Sequence, residues 1–207
     1  MSDHDPKAML MRATLTGGPA LDPAEAVRRF VDRAGEEGLL DVAYAIVPSP
    51  LGDLLLARTP RGLVRLAYLE DADADAILAD LARRLSPRVL EAPVRLDGER
   101  ARLESYFEGR SRELDIPVDL SLAGAFAARV LARTAAIPFG RLSTYGEVAA
   151  DVGHPRAARA VGNALGANPI PIVVPCHRVV RRGGALGGYT GGLHRKERLL
   201  AIERVGP

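Results

Sequence analysis

Between residues 41 and 69, short apolar runs alternate with polar breaks, which is the pattern of β-strands. The sequence predicts three strands, at residues 42–47, 54–57 and 63–69. Thr59-Pro60-Arg61-Gly62 separates the last two strands and carries the proline and glycine that are typical of a tight turn. Together these strands predict a short antiparallel sheet.

Along the chain, apolar residues at helical spacing occur both before and after these strands. Asp22 and Pro23 predict the start of one helix, and Gly35 and Gly38 predict its end. The expected apolar face of that helix consists of Ala26, Val27, Phe30, Val31 and Ala34. Two more helices are predicted, one over residues 77–85 behind an acidic start and one over residues 98–107.

From residue 121 onward the chain is helical and basic. A helix that stops at Pro138 is predicted from Phe126, Val130, Leu131 and Ile137. Thr144 and Glu147 have the separation of a capping box, so another helix starts there and runs to about residue 152. A turn at Gly153-His154-Pro155 leads into a third helix over residues 156–165. Two short helices joined by such a turn predict a helix-turn-helix, whose second helix usually meets DNA.

The second helix of this pair is nearly bare of bulky side chains. Ala158, Ala160 and Gly162 are small, and Arg159 projects between them. Because small residues let a helix backbone approach another surface closely, this helix could enter a narrow groove of DNA, with Arg159 in a vacated stacking position. A small-residue face packed against another helix is the alternative.

The net charge also differs between the part of the chain that contains the predicted strands and the helical part that follows it. Residues 1–125 hold 16 Lys+Arg and 22 Asp+Glu, a net −6, whereas residues 126–207 hold 12 and 4, a net +8. A basic part attracts polyanions such as nucleic acid, although a solvated arginine-rich surface is the alternative. The predicted fold class is α+β, with a small N-terminal α/β domain and a mainly helical C-terminal domain. The predicted divisions are an extension over 1–40, the α/β domain over 41–117 and the helical domain over 118–207.

The one cysteine, Cys176, follows a β-branched apolar run and precedes His177 and Arg178. A lone thiol forms no disulfide within the chain and no sulfur cluster. Its neighbours favour a lowered thiol pKa and a reactive thiolate, while a small buried hydrophobe is the alternative. The single thiol, the polar N-terminus without a secretory signal and the lack of a long apolar run predict a cytoplasmic protein.

Several ordered motifs surround Cys176 along the chain: Arg156-Ala157-Ala158-Arg159-Ala160-Val161-Gly162, Asn168-Pro169-Ile170-Pro171, Pro175-Cys176-His177-Arg178-Val179-Val180, Gly188-Tyr189-Thr190-Gly191-Gly192-Leu193, Lys196-Glu197 and Leu199-Leu200-Ala201-Ile202-Glu203. Together they resemble the O6-alkylguanine-DNA alkyltransferase family, which repairs DNA by direct reversal. The similarity spans about residues 41–203 and is strongest over residues 138–203. Residues 1–40 lie outside the similarity, and their role is left open.

The resemblance implies that Cys176 attacks the alkyl carbon of O6-alkylguanine and keeps the alkyl group, so that each molecule acts once. His177 would generate the thiolate through a bridging water, with Glu203 orienting the imidazole. Tyr145 would hold the flipped nucleotide near its phosphate and donate a proton to a guanine ring nitrogen. Asn168 would fix the turn between the DNA-binding helix and the cysteine segment.

The same resemblance implies contacts to DNA and to the alkyl group. Arg159 would fill the gap that the flipped nucleotide leaves. The other implied DNA-binding residues are Tyr145, Arg156, Ala158, Ala160 and Gly162. The implied substrate pocket comprises Leu165, Pro171, Val179, Tyr189, Thr190 and Lys196. The carbonyls of Cys176 and Val179 would read the guanine edge, and Lys196 would hold a loop or polarise O6. Core packing is the alternative for Leu165 and Tyr189, and a surface charge is the alternative for Lys196.

Double-stranded DNA that contains O6-alkylguanine is therefore the expected partner of a protein expected to be a monomer in solution. Activity on O4-alkylthymine and clustering along DNA are left open. Neither a cofactor nor a metal is expected, because one thiol and four scattered histidines form no ligand set. A non-catalytic lesion sensor or transcription regulator is the alternative function, and a cysteine hydrolase is the third.

Overall fold

The structure is a computed structural model that describes residues 22, 25–26, 29, 33–35, 38 and 40–206. Its strands are β1 (Val42–Val47), β2 (Leu54–Thr59), β3 (Gly62–Tyr68), β4 (Val89–Glu91), β5 (Ser143–Thr144) and β6 (Val179–Val180). Its helices are α1 (Ala74–Arg84), α2 (Asp97–Phe107), α3 (Ala125–Ala135), α4 (Tyr145–Asp151), α5 (Ala158–Gly166) and α6 (Leu193–Ile202), with 3₁₀ turns at Pro93–Leu96 and Cys176–Arg178. The predicted α+β class is confirmed, because a small sheet comes first and a mainly helical part follows.

A four-stranded sheet in the order β3-β2-β1-β4 forms the N-terminal part. The three predicted strands pair antiparallel. β4, which the sequence analysis did not predict, pairs in parallel with β1. Because side chains alternate along each strand, one face of the sheet packs against Ile77 and Leu81 of α1 and the other against the helical part. Burial on both faces explains why β2 begins with three leucines instead of alternating with polar residues.

The two helices predicted after β3 are confirmed as α1 and α2, with ends within a few residues of those expected. The acidic run before α1 provides its cap, since the carboxylate of Asp73 accepts hydrogen bonds from the backbone N–H groups of Asp75 and Ala76. In the predicted N-terminal helix, the described residues that are helical are Glu25, Ala26, Arg29, Arg33, Ala34 and Gly35. Pro23, Val27, Phe30 and Val31 lie outside the described residues. Among the described residues, no helix has the length and apolar character needed to cross a membrane.

α4 and α5 form the predicted helix-turn-helix. The hydroxyl of Thr144 accepts from the N–H of Glu147, and the Glu147 carboxylate accepts from the N–H of Thr144, so the capping box is confirmed. α5 begins at Ala158 rather than Arg156, because Arg156 still belongs to the preceding turn. α5 packs against both α3 and α4, which leaves one face of the helix exposed.

β3 and α6 join the sheet to the helical part. The backbone N–H of Leu66 donates to the carbonyl of Pro169 over 2.8 Å, so the edge strand holds the segment that leads to the cysteine. Arg195, on α6, is almost fully buried. Its guanidinium donates to the carbonyls of Leu51 and Gly191 and to the carboxylates of Glu70 and Asp71. These partners lie on both sides of the boundary, so one side chain fastens the two parts together.

We expect Arg195→Ala to lower the free energy of unfolding by about 2–4 kcal/mol, because it removes four hydrogen-bond partnerships from a buried position. Arg198→Ala is the matched control, since Arg198 lies exposed on the same helix and its loss should change stability by less than about 0.5 kcal/mol. Urea unfolding measures both variants. Equal losses in the two variants would contradict a fastening role for Arg195.

Candidate active site

A cleft of about 540 Å³ opens beside α5. A volume of this size is typical of small-molecule sites. The residues that line it are Tyr145, Ala158, Arg159, Gly162, Asn163, Leu165, Gly166, Cys176, Arg181, Gly188, Tyr189 and Thr190. The lone thiol is thus brought together with the small-residue helix and the glycine-rich loop that follows β6.

Asn168 places the sulfur of Cys176 at this cleft. Its side-chain amide donates to the carbonyl of Val174 over 2.9 Å and lies 3.2 Å from the Cys176 Sγ. Its amide oxygen accepts from the N–H of Ile170 over 3.0 Å. One buried amide therefore closes the turn and touches the thiol. The sequence analysis anticipated a turn but not the contact with sulfur.

The Cys176 thiol is buried, and burial raises its pKa to about 11. The hydrogen bond from Asn168 and the charge of Lys196 act in the opposite direction but do not overcome burial. The expectation of a lowered thiol pKa was therefore wrong. That expectation relied on the neighbouring side chains of His177 and Arg178, but both hydrogen-bond to Glu203. Burial therefore dominates the thiol pKa.

The carboxylate of Glu203 is the centre of a buried hydrogen-bond network. It accepts from the hydroxyl of Tyr106 over 2.7 Å, from His177 Nε2 over 2.9 Å and from Arg178 Nε over 2.9 Å. The backbone N–H of Gly140 donates to it as well, over 3.2 Å. Burial on its own would raise the pKa of Glu203, but the hydrogen bonds from His177 and Arg178 lower it to about 2. Glu203 is therefore an anion at neutral pH and acts only as an acceptor.

This anion fixes the tautomer of His177. Burial lowers the pKa of His177, so the imidazole is neutral at neutral pH. Since Glu203 only accepts, the ring proton lies on Nε2, and Nδ1 carries a lone pair. Among the described residues, the buried Nδ1 has no hydrogen-bond partner. An unpaired buried acceptor is unusual. It leaves the imidazole next to the thiol with a lone pair that can accept a proton.

Lys196 is fully buried behind the cleft and does not line it. Its ammonium donates to the carbonyl of Val179 over 2.7 Å and to the carbonyl of Leu186. Burial lowers the pKa of Lys196 to about 8, against the opposing influence of Cys176. The surface-charge alternative was therefore wrong, and the geometry matches a residue that holds the loop after β6. Pro171 and Val179 are also buried and do not line the cleft.

Tyrosine and threonine side chains form part of the walls of the cleft. Burial raises the pKa of Tyr145, the first residue of α4, so its hydroxyl keeps its proton. A Cβ added to Gly187 would lie 2.7 Å from that hydroxyl, so only glycine allows this approach. Thr190 donates to the carbonyl of Gly166 over 3.0 Å and ties the loop to the end of α5. Leu165 is buried and still lines the cleft, so packing and a wall position coexist.

The remaining predicted DNA-binding residues lie along α5 and the turn before it. Arg156, Arg159 and Ala160 are exposed, whereas Ala158 and Gly162 are half-buried. Arg159 lines the cleft, and so does Arg181, which the sequence analysis did not single out. The adjacent pair Arg181-Arg182 within the basic part was the available signal. Tyr106 was also missed, because it comes 97 residues before Glu203. Within the described residues, no group of three or more His, Cys, Asp or Glu side chains is placed to hold a metal.

Two family models match the chain. The model of the 6-O-methylguanine DNA methyltransferase ribonuclease-like domain matches residues 42–120, and the model of the DNA binding domain of the same methyltransferase matches residues 125–205. The chain belongs to the 6-O-methylguanine DNA methyltransferase family. The cleft, the thiol and the helix-turn-helix all lie in the part that the second model covers or at its edge.

Named members of the family are similar over most of their length. The methylated-DNA–protein-cysteine methyltransferase of Mycolicibacterium paratuberculosis is 41% identical over 79% of this chain and 93% of that protein. The protein of the same name from Methanosarcina barkeri is 40% identical over 77% of this chain and 96% of that protein. A crystal structure of Mycobacterium tuberculosis OGT in complex with DNA is 39% identical, with a TM-score of 0.68, over 78% of this chain and 92% of that one.

We expect the folded Cys176 to react slowly with iodoacetamide at pH 8, because its thiol pKa of about 11 keeps the thiolate scarce. The initial rate should keep rising up to about pH 11. Asn168→Ala should shift this profile to higher pH, since the variant loses a hydrogen bond that lowers the thiol pKa. Asn163→Ala, at another cleft position, is the control. A wild-type rate that reaches its plateau below pH 8 would contradict this account.

Proposed function

We propose that the protein repairs DNA by moving the alkyl group of O6-alkylguanine onto the sulfur of Cys176. The observation that carries this proposal is the lone thiol in a cleft beside α5, next to a histidine whose tautomer a buried anion fixes. Relatives that share about 40% of their residues with this chain are named methylated-DNA–protein-cysteine methyltransferases. The name describes transfer to a protein cysteine, and Cys176 is the one cysteine in this chain.

The first half of the reaction makes the nucleophile. The thiol proton passes through a bridging water to His177 Nδ1, and the Glu203 anion stabilises the imidazolium that results. Because the thiol pKa is high, the thiolate forms only as this transfer occurs and stays scarce otherwise. The buried sulfur is thus protected from casual alkylation and becomes reactive when a substrate is aligned.

The second half displaces guanine. The sulfur attacks the alkyl carbon, the new C–S bond forms, and the C–O6 bond breaks with its electron pair left on guanine. Tyr145 supplies a proton to the ring nitrogen of the leaving guanine, which its protonated hydroxyl allows. Proton exchange with solvent restores Tyr145 and His177. The thioether has no route back to a thiol, so each molecule acts once.

The DNA-binding role is assigned to the exposed face of α5. A lesion at O6 is buried in the duplex, so the nucleotide must leave the stack to reach the sulfur. Small residues on α5 allow the helix close approach to a groove, and Arg159 is placed at the cleft to occupy the gap. Arg181 offers a second cation at the cleft for a phosphate of the extruded nucleotide. The proposed setting is a monomer on double-stranded DNA in the cytoplasm.

A Cys176→Ala variant tests the transfer. We expect it to bind a duplex with one O6-methylguanine as tightly as wild type, because the DNA-contacting face is untouched, and to transfer no labelled methyl group. Binding by gel shift and label on the protein are measured together. Label on Cys176→Ala would contradict the proposed nucleophile. A wild-type protein that binds the lesion and takes up no label would instead favour the lesion sensor.

An Arg159→Ala variant tests nucleotide flipping. Repair of duplex DNA should slow at least about tenfold, because the variant cannot fill the vacated stack, while reaction with free O6-methylguanine base should stay unchanged. Arg141→Ala is the control, since it removes the same charge from an exposed position of the basic part that does not line the cleft. Single-turnover rates at saturating DNA give the comparison. An equal loss of Arg159→Ala on both substrates would reject the flipping role.

A further inference from the structure

Tyr189 forms part of the cleft wall, and its hydroxyl contacts a residue of the N-terminal part. The hydroxyl groups of Tyr189 and Tyr68 lie 2.8 Å apart, so one donates to the other. The two rings meet edge to face, with centroids 6.5 Å apart. Tyr189 also meets the ring of His177 edge to face, at 6.5 Å. The wall thus connects the candidate base with the last residue of β3.

Tyr68 is itself held from two sides. The guanidinium carbon of Arg195 lies 4.4 Å from the centroid of its ring, which is within cation–π range. On another side the chain comes so close that a Cβ added to Gly191 would lie 2.4 Å from the ring. Tyr68 is buried and ends the edge strand that pairs with β2. Its hydroxyl therefore occupies a fixed point in space.

We propose that Tyr68 is a positioning residue that holds Tyr189 in one orientation and thereby sets which alkyl groups the cleft accepts. This inference rests on the proposed function. The N-terminal sheet, which carries no residue with a role in the proposed chemistry, then contributes to specificity through a single hydroxyl. No residue of the sheet lines the cleft, so the influence of Tyr68 must act through Tyr189.

The size of the alkyl group decides how much the wall matters. A methyl group needs only the approach of the sulfur, because it is too small to reach far along the wall. A benzyl group brings a ring that must pack on Tyr189, and edge-to-face packing depends on the angle between the rings. A Tyr189 ring that turns freely loses part of this contact. Loosening the wall should therefore slow benzyl transfer more than methyl transfer.

The test compares transfer rates from two otherwise identical duplexes, one with O6-benzylguanine and one with O6-methylguanine. In Tyr68→Phe, which keeps the ring and loses the hydroxyl, the benzyl-to-methyl rate ratio should fall about 3-fold to 10-fold. Tyr189→Phe removes the same hydrogen bond from its other end and should lower the ratio equally. The double variant should show no further fall, because the bond can be lost only once.

Tyr44→Phe is the matched control, since Tyr44 lies on β1 in the same sheet and away from the cleft. Its rate ratio should equal that of wild type. An unchanged ratio in Tyr68→Phe, or additive effects in the double variant, would overturn the proposal. If Tyr68→Phe fails to fold, Tyr189→Phe still tests the bond, because an unchanged ratio there overturns the proposal equally. A wild-type protein that transfers neither group would refute the proposed function instead, so the two failures are distinguishable.

Discussion

The buried carboxylate of Glu203 is the interaction on which the site depends. Removing an anion from water is costly, and the cost is offset only where several donors surround it. Here four donor residues come from three parts of the chain: Tyr106 on α2, the backbone of Gly140, and His177 and Arg178 in the 3₁₀ turn. The network therefore fixes the turn that carries Cys176 and orients the imidazole beside it. The Glu203 carboxylate therefore stabilises the turn and also orients the histidine of the candidate site.

The sheet contributes to this site although it supplies no reacting group. β3 holds the segment before the thiol through the bond from Leu66 to Pro169, and Asn168 then completes the turn. Tyr68 of β3 contacts the hydroxyl of Tyr189 in the glycine-rich loop, and Arg195 of α6 donates to the carbonyl of Gly191 in the same loop. The cleft walls are in this way braced by both parts of the chain. Such bracing matters because the proposed displacement requires the sulfur, the alkyl carbon and the leaving oxygen to be aligned.

Local features of the chain were predictable where a few neighbouring residues decide the outcome. The capping box at Thr144, the turn before β3 and the strand at residues 42–47 each follow from adjacent side chains. The ordered motifs around Cys176 indicated the family, and the matches over residues 42–120 and 125–205 confirmed it.

What could not be predicted depends on contacts between distant residues. The predicted direction of the shift in the thiol pKa was wrong, because burial outweighs the nearby charges. Neighbouring residues in the sequence do not reveal that burial. Lys196 stands between two charged residues, Arg195 and Glu197, and is itself charged, yet it is buried and its ammonium bonds to two backbone carbonyls. Tyr68 precedes its partner Tyr189 by 121 residues, and nothing in either segment indicates the pairing. β4 is only three residues long and carries little pattern.

The central claim is that Cys176 accepts the alkyl group covalently and once. Intact mass after incubation with an excess of duplex containing O6-methylguanine tests it directly, together with mapping of the modified peptide. The account predicts a gain of one methyl group per chain, located on Cys176, however large the excess of DNA. An unchanged mass, a methyl group on another residue or continued turnover of DNA would contradict it.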